Sequence, residues 1–140
     1  MAAAWAAPYI GLPYLDHGRD RAGCDCWGGV RLVYREVFGR DLPSLADLYV
    51  SADHAPSVAR TVQTGIEQCF DRVVVPAEGD MVILRIYGRP WHCGIMVSSD
   101  RFLHWPAPPR GKPGIGACIE RLDSAAWVRR VDGFYRVRAT

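Results

Sequence analysis

Lysine is almost absent from this sequence of 140 residues: Lys112 is the single lysine, and the other 16 of its 17 basic residues are arginines. The formal net charge is only +2, so the composition offers no strongly basic surface of the kind that binds nucleic acid. Hydrophobic residues make up 49% of the chain and charged residues 23%, which is ordinary for a folded globular protein. We therefore expect a globular domain that does not bind nucleic acid.

Long apolar runs are also missing. No segment approaches the roughly 20 apolar residues that a membrane-spanning helix needs. The apolar start, residues 1–14, lacks a basic region and is interrupted by Pro8 and Gly11, unlike a typical secretion signal. We therefore expect no membrane span, and synthesis in the cytoplasm without a signal peptide.

Cysteine is too sparse for a disulfide framework. The chain holds five cysteines, an odd number, scattered along its length, whereas small disulfide-rich domains carry closely spaced pairs. Reduced thiols are the default expectation.

The predicted helices come before the predicted strands. Asp25 is a good N-cap for a helix that Gly39 ends. A short helix is expected near residues 44–50, and a second full helix opens at Pro56 and Ser57. Residues 1–23 are interpreted as an irregular lead-in.

The second half of the chain is rich in strand-forming residues. A strand follows the turn at residues 78–80, and "WHCGIMV", "SSD" and "RFLHW" form a hairpin. "ACIERL" and "GFYRVR" are two further strands, and residues 106–116 form a surface loop. Helices followed by strands predict an α+β fold with an antiparallel sheet, and the chain length favours a single domain over residues 1–140.

The cysteine with the strongest chemical signal is Cys26, in the first turn of the first predicted helix. Unpaired N–H groups and the positive end of the helix dipole favour a thiolate there. Gly28 and Gly29 follow, and they indicate that another group approaches the backbone closely, for example a substrate carbonyl at an oxyanion site. The alternative interpretation is an inert, buried structural cysteine.

A thiol nucleophile needs a base, and two histidines are placed to act together. His92 shares a strand face with Gly94, and a three-residue hairpin loop puts His104 opposite Gly94, diagonal to His92. One histidine can then orient the other, as the third member of a triad does. The alternative is two unrelated histidines on a half-exposed sheet, and His17 and His54 are interpreted as solvated.

A zinc site is the competing interpretation of the same residues. Four residues have side chains of types that bind zinc and are the candidate ligands of one ion: Cys24, Cys26, His92 and Cys93. Adjacent strand residues point to opposite faces, so His92 and Cys93 are not expected to reach one ion. We therefore predict no metal and no cofactor. A module that binds zinc or carries out redox chemistry stays open as an alternative hypothesis. Three cysteines are interpreted as residues that pack in the core: Cys24, Cys69 and Cys118.

Five sequence blocks, taken in order, resemble the NlpC-type cell-wall cysteine peptidases. The resemblance is closest to the branch found in phages and phage-like tail gene clusters, and it runs over nearly the whole chain. The blocks are "YIGLPYLDHGRDRAGCDCWGGVRLVYREVFGRDLP", "PAEGDMVIL", "WHCGIMV", "RFLHWP" and "GFYRV". The resemblance implies a papain-like α+β fold, with the cysteine at a helix N-terminus packed on an antiparallel sheet.

The resemblance also implies a Cys-His-His triad. Cys26 would be the nucleophile, His92 the general base and acid, and His104 the residue that orients His92. Three substrate contacts are implied as well: Tyr14, Asp25 and Trp27.

Several positions depart from the family pattern: Trp27 replaces the commoner serine, and the aromatic stretch at residues 104–106 replaces a smaller sequence. Gly29 stands where a large apolar residue is usual, and Cys93 stands where valine is usual. Cys93 is expected on the strand face turned away from the triad, so it should not disturb it.

The implied activity is that of a cysteine endopeptidase. It would hydrolyse amides of the γ-D-glutamyl type in peptidoglycan stem peptides through a thioester. The implied partners are peptidoglycan peptides and phage-like tail proteins, and the implied location is a phage-like particle that acts on the cell wall. The alternative is a structural tail-assembly or tail-tip adaptor with the same fold and little or no turnover.

Overall fold

The first helix, α1, spans Cys26–Val37 in the computed structural model, which describes residues 3–52, 54–86 and 88–139. Asp25 caps it as predicted, by accepting a hydrogen bond from the Gly28 N–H. The second helix, α2, spans Ala55–Cys69 and begins one residue before its expected start. Within the described residues, no helix is long and apolar enough to cross a membrane.

A six-stranded antiparallel sheet follows the helices and confirms the predicted α+β fold. Two short strands, β1 (Arg19–Asp20) and β2 (Gly23–Cys24), pair separately near the start of the chain. The six strands of the main sheet are β3 (Phe70–Val73), β4 (Met81–Ile86), β5 (Arg89–Met96), β6 (Arg101–His104), β7 (Cys118–Arg121) and β8 (Val131–Val137). Their spatial order is β3-β8-β4-β5-β6-β7, so β7 is an edge strand.

Both helices pack on one face of this sheet. Buried residues of α1 and α2 share one core with alternate residues of β4, β5 and β6, including Ile83, Cys93 and Leu103. The opposite face carries a smaller cluster, formed by Val82, Leu84, Met96, Phe102 and Trp127. Because strand residues alternate between faces, His92 and His104 lie on the side of the smaller cluster.

Two predicted segments differ from the structure. The lead-in is partly ordered, with a 3-10 helix over Ala4–Tyr9 and the β1–β2 pair. The short helix expected near residues 44–50 is absent, and turns and bends take its place. Leu45 has a φ of 55°, a left-handed conformation that cannot continue a right-handed helix.

The two glycines of α1 make room for the protein itself. A Cβ on Gly28 would lie 1.9 Å from the carbonyl oxygen of Gly18, and one on Gly29 would lie 2.1 Å from Cε3 of Trp105. The close approach predicted from these glycines is therefore made by Gly18 and Trp105 rather than by a substrate carbonyl. The family pattern has a large apolar side chain at the position of Gly29. In this chain the buried ring of Trp105 fills that space.

Gly29→Ala is expected to destabilise the fold by about 1–3 kcal/mol, the usual cost of over-packing a core. The reason is that Trp105 is only 1% exposed, so its ring has little room to move away. Thermal unfolding of the variant beside the wild type measures the effect. Trp105→Leu in the Gly29→Ala background should recover part of the lost stability. If the double variant loses the sum of the two single losses, the clash is not the cause.

Candidate active site

The sulfur of Cys26 lies beside strand β5, 3.8 Å from the carbonyl oxygen of Trp91. Hydrogen bonding by the side chains of His92 and Cys93 lowers the pKa of this thiol. Strand β6 pairs with β5 further along, at Ile95 and Met96. Two side chains that point to opposite faces of β5 thus both act on the Cys26 sulfur.

Cys93 faces away from His92 and His104 as expected, because it belongs to the core on the helix side of the sheet. The expectation that it would not disturb the site is wrong, since Cys26 approaches the strand from that side and is affected by Cys93. The hydrogen bond from Cys93 is the largest influence on Cys26 and lowers its pKa. Burial opposes this effect, the hydrogen bond and charge of His92 reinforce it, and the pKa of Cys26 falls to about 5. Burial and the neighbouring Cys26 raise the pKa of Cys93. The opposite directions of these two shifts make Cys26 the more acidic thiol of the pair and Cys93 the donor to its sulfur.

Cys93→Val should raise the pKa of Cys26 above its present value of about 5, because a thiolate that loses a hydrogen-bond donor is less stable. The measurement is the rate of alkylation by iodoacetamide against pH. This rate rises with pH because the deprotonated thiolate is the reactive form. Cys93→Ser is the matched control, since its hydroxyl can also donate, and its profile should stay near that of the wild type. An unshifted profile in Cys93→Val would contradict the assigned hydrogen bond.

His92 and His104 are hydrogen-bonded to each other across the β5–β6 hairpin. His92 Nε2 lies 2.7 Å from His104 Nδ1. The predicted hairpin register is confirmed, because Ile95 pairs with Leu103. Gly94 leaves the space that this contact needs, since a Cβ there would lie 3.1 Å from the Cβ of His104.

Glu120 extends the histidine pair into a chain. His104 Nε2 lies 2.5 Å from Glu120 Oε2. The hydrogen bond from His104 lowers the pKa of Glu120, so this group is a carboxylate that only accepts. Burial lowers the pKa of His104 to about 4, so at neutral pH its ring carries a single N–H.

The direction of each hydrogen bond follows from these charges. His104 must donate its one N–H from Nε2 to the Glu120 carboxylate. Its Nδ1 is then an acceptor, so His92 donates from Nε2. His92 Nδ1 is then the ring nitrogen that remains for Cys26, whose pKa His92 lowers.

Trp127 covers the two histidines. Its ring stacks on His92 with a centroid distance of 5.8 Å and an interplanar angle of 17°, and it meets His104 at 5.4 Å and 90°. Trp127 is buried, so it shields one side of the pair from water. Neither Trp127 nor Glu120 was predicted from the sequence as a site residue. The only signal for Glu120 was its place in the predicted strand "ACIERL".

Asp25 is buried, and both of its carboxylate oxygens are used within the protein. Oδ1 accepts hydrogen bonds of 2.9 Å from the Gly28 N–H and from Arg19 Nη1. Oδ2 accepts from the His17 N–H at 3.0 Å and from the Tyr49 hydroxyl. The structure thus places Asp25 as a cap and a charge partner under the site, and its expected contact with substrate stays a prediction.

The histidines interpreted as solvated both have local roles. The ring of His17 stacks on Tyr49 with a centroid distance of 4.2 Å, and its Nε2 lies 3.0 Å from the Tyr49 carbonyl oxygen. His54 is exposed but caps α2, with its Nδ1 2.6 Å from the Ser57 hydroxyl.

A cavity of about 850 Å³ opens at Cys26. Cys26 and His92 line it, and so do the three residues expected to contact substrate, Tyr14, Asp25 and Trp27. Trp27 is 2% exposed, and its indole N–H donates to the carbonyl oxygen of Pro43 at 3.0 Å. Trp27 therefore shapes the cavity as a fixed wall, and the loop over residues 106–112 contributes Arg110 and Lys112.

Cys118 is closer to the histidine chain than its interpretation as a packing residue implied. It is only partly buried, and its sulfur lies 3.6 Å from His104 Nε2. Cys24 is fully buried as expected, and its thiol donates to the carbonyl oxygen of Asp20 at 3.1 Å.

Residues 11–136 match the family model of the NlpC/P60 family. The chain belongs to this family. The predicted NlpC-type family is thus confirmed, whereas the phage-like branch and the catalytic roles stay predictions.

Two curated relatives are similar over much of this chain. Protein P54 of Enterococcus faecium is 30% identical over 105 residues, which cover 75% of this chain and 17% of that protein. Murein DD-endopeptidase MepS/Murein LD-carboxypeptidase of Escherichia coli K12 is 26% identical over 132 residues, which cover 94% of this chain and 58% of that protein. The chain thus spans less than two thirds of either relative.

Solved structures show the same fold. The NlpC/p60 domain of the peptidoglycan hydrolase SagA superposes with a TM-score of 0.60 at 27% identity, covering 97% of this chain and 94% of that one. A protein of the NLP/P60 family from Staphylococcus aureus, described as similar to lipoprotein, superposes with a TM-score of 0.64 at 22% identity. That match covers 97% of this chain and 40% of the other.

Proposed function

We propose that this chain is a cysteine peptidase that hydrolyses amide bonds in peptidoglycan stem peptides. The observation that carries the proposal is the Cys26 thiol. It lies at a helix N-terminus, contacts His92, has its pKa lowered to about 5, and opens onto a cavity of about 850 Å³. Two relatives are a murein endopeptidase and a peptidoglycan hydrolase, and this similarity supports the substrate class.

The proposed reaction begins with attack of the Cys26 thiolate on the carbonyl carbon of the scissile amide. Backbone N–H groups of the first turn of α1 have no intrahelical partner. That of Gly28 already donates to Asp25, so the N–H groups before it stabilise the oxyanion that forms. His92 then donates its Nδ1 proton to the leaving amine as the C–N bond breaks and a thioester forms.

Water completes the cycle. Neutral His92 accepts a proton from a water molecule as the water oxygen attacks the thioester carbonyl. The C–S bond breaks, the new carboxylic acid leaves, and the thiolate of Cys26 again faces a protonated His92. In this scheme Cys26 and His92 are the catalytic residues, whereas His104 and Glu120 are positioning residues that hold the His92 ring.

We further propose that the bond cut is the γ-amide of D-glutamate. A γ-linked glutamate keeps a free α-carboxylate beside the scissile bond, and the cavity offers two cations, Arg110 and Lys112. The acidic Asp25 in the same wall is already paired with Arg19, so its charge repels such a carboxylate less than an unpaired one would.

The test uses purified peptidoglycan and two synthetic peptides that differ only in γ- or α-linkage of D-glutamate. Mass spectrometry should find new amine and carboxyl termini in the peptidoglycan digest and in the γ-linked peptide. Cleavage of the α-linked peptide at an equal rate would contradict the γ-linkage. If the protein releases no product although its Cys26 is still alkylated rapidly, the peptidase proposal is contradicted and the structural tail role is favoured.

The phage-like setting is a further proposal, supported by the resemblance of the sequence blocks alone. In this setting the chain is made in the cytoplasm, joins a tail-like particle and acts on the cell wall. Mass spectrometry of purified particles from a producing strain should then detect the chain. Its absence from complete particles would contradict the proposal.

A further inference from the structure

Three side chains of types that bind zinc meet on the sheet face opposite the helices. His104 Nε2 lies 3.6 Å from Cys118 Sγ and 2.5 Å from Glu120 Oε2. Cys118 Sγ and Glu120 Oε2 are 3.9 Å apart. Across the described ranges 3–52, 54–86 and 88–139, this is the one group of at least three His, Cys, Asp or Glu residues with ligand atoms within 4.8 Å of one another.

Backbone pairing holds the three residues in place. Cys118 on β7 is paired directly with His104 on β6, and Glu120 lies two residues further along β7. Residues two apart on a strand share a face, so all three side chains point to the same side. Since β7 is the edge strand and the Glu120 side chain is 35% exposed, an ion can enter from solvent.

The spacing of the ligand atoms suits a tetrahedral ion. Zinc bonds of about 2.0–2.1 Å to nitrogen, about 2.0–2.2 Å to oxygen and about 2.3 Å to sulfur place ligand atoms roughly 3.3–3.7 Å apart. The sulfur of Cys118 is already near this spacing from both partners. Only the contact between His104 and Glu120 must widen, to about 3.4 Å, and the partly exposed glutamate can make that movement.

We propose that His104 Nε2, Cys118 Sγ and Glu120 Oε2 form a zinc site, and that zinc bound there inhibits the enzyme. The three protein ligands leave a fourth position for water. This set differs from the four residues that the sequence suggested for zinc. The inhibition, but not the metal site, rests on the proposed peptidase function.

Inhibition follows from the direction of the hydrogen bond between the histidines. Zinc on Nε2 displaces the proton that His104 otherwise donates to Glu120, and this proton leaves to solvent. The proton on His92 Nε2 then moves across the hydrogen bond to His104 Nδ1, so that His104 again has one N–H, which donates to His92 Nε2. His92 can no longer carry a proton on Nε2, so it cannot be the doubly protonated partner of the Cys26 thiolate.

Cobalt titration tests the site without any need for activity. Cys26→Ala protein removes the catalytic thiol, and one Co²⁺ per chain should bind with a sulfur-to-cobalt charge-transfer band that Zn²⁺ abolishes. Cys26→Ala/Cys118→Ala should lack the band, and Cys26→Ala/Cys24→Ala should keep it. A missing band in Cys26→Ala, or a band that persists without Cys118, would overturn the site.

Zinc sensitivity tests the inhibition. Peptidoglycan digestion by EDTA-treated wild type should fall as zinc is added. Cys118→Ala should digest at the wild-type rate without zinc and need about 10–100-fold more zinc for half inhibition, the usual effect of losing a metal-site group. Equal sensitivity of the two proteins would overturn the inhibition. A wild type that is inactive even without zinc would contradict the peptidase function, whereas the cobalt result would still decide the site.

Discussion

Cys26→Ala is expected to abolish digestion of peptidoglycan, with kcat lowered by at least about 10⁴-fold, because no other group can form the thioester. The other cysteines cannot replace it. Cys93 is the donor to the Cys26 sulfur and has a raised pKa, and Cys24 is fully buried with a pKa raised to about 12, chiefly by burial. Release of soluble muropeptides, measured by chromatography and mass spectrometry, gives the rate.

Cys24→Ala is the matched control, two residues away and with the same chemical change. It removes a buried thiol that contacts the Asp20 carbonyl rather than the cavity, so the protein should keep the wild-type rate. Circular dichroism should show that both variants are folded, since the Asp25 cap of α1 is untouched in each. Substantial turnover by Cys26→Ala, or an equal loss in both variants, would exclude Cys26 as the nucleophile.

Glu120→Leu is expected to lower kcat by about 10–100-fold while KM changes little, by analogy with other groups that orient a catalytic or ligating histidine. Without the carboxylate, His104 loses the acceptor that keeps its proton on Nε2, at 2.5 Å. His104 can then place its proton on Nδ1, which is the wrong position to accept from His92. Steady-state kinetics on a γ-D-glutamyl peptide, in EDTA to exclude metal effects, provide the measurement.

Glu120→Gln separates positioning from simple packing. Its amide oxygen can accept the same hydrogen bond from His104, so its kcat should lie much closer to the wild type than that of Glu120→Leu. The side chain is 35% exposed, so neither substitution should unfold the protein. Equal kcat in the two variants would show that Glu120 does not control the histidine pair.

Much of the fold was predictable because its signals are local. The Asp25 cap and the period-two alternation of β5 and β6 lie within short stretches of chain, and the structure confirms both of them. The prediction of a short helix near residues 44–50 was wrong because Leu45 adopts a left-handed backbone conformation. Nothing in the composition of this segment indicates that conformation. The single-domain prediction over residues 1–140 stays a prediction.

The sequence by itself determined the order of the elements, the helix N-terminus that carries Cys26, and the hairpin that brings His92 to His104. These follow from capping, alternation and loop length, which act over a few residues. Only the tertiary structure decided that Trp105 occupies the space of a side chain at Gly29, that Cys93 reaches Cys26, and that β7 brings Cys118 and Glu120 to His104. Such contacts depend on which strands become neighbours and how a helix sits on a sheet, and no short stretch of sequence contains that information.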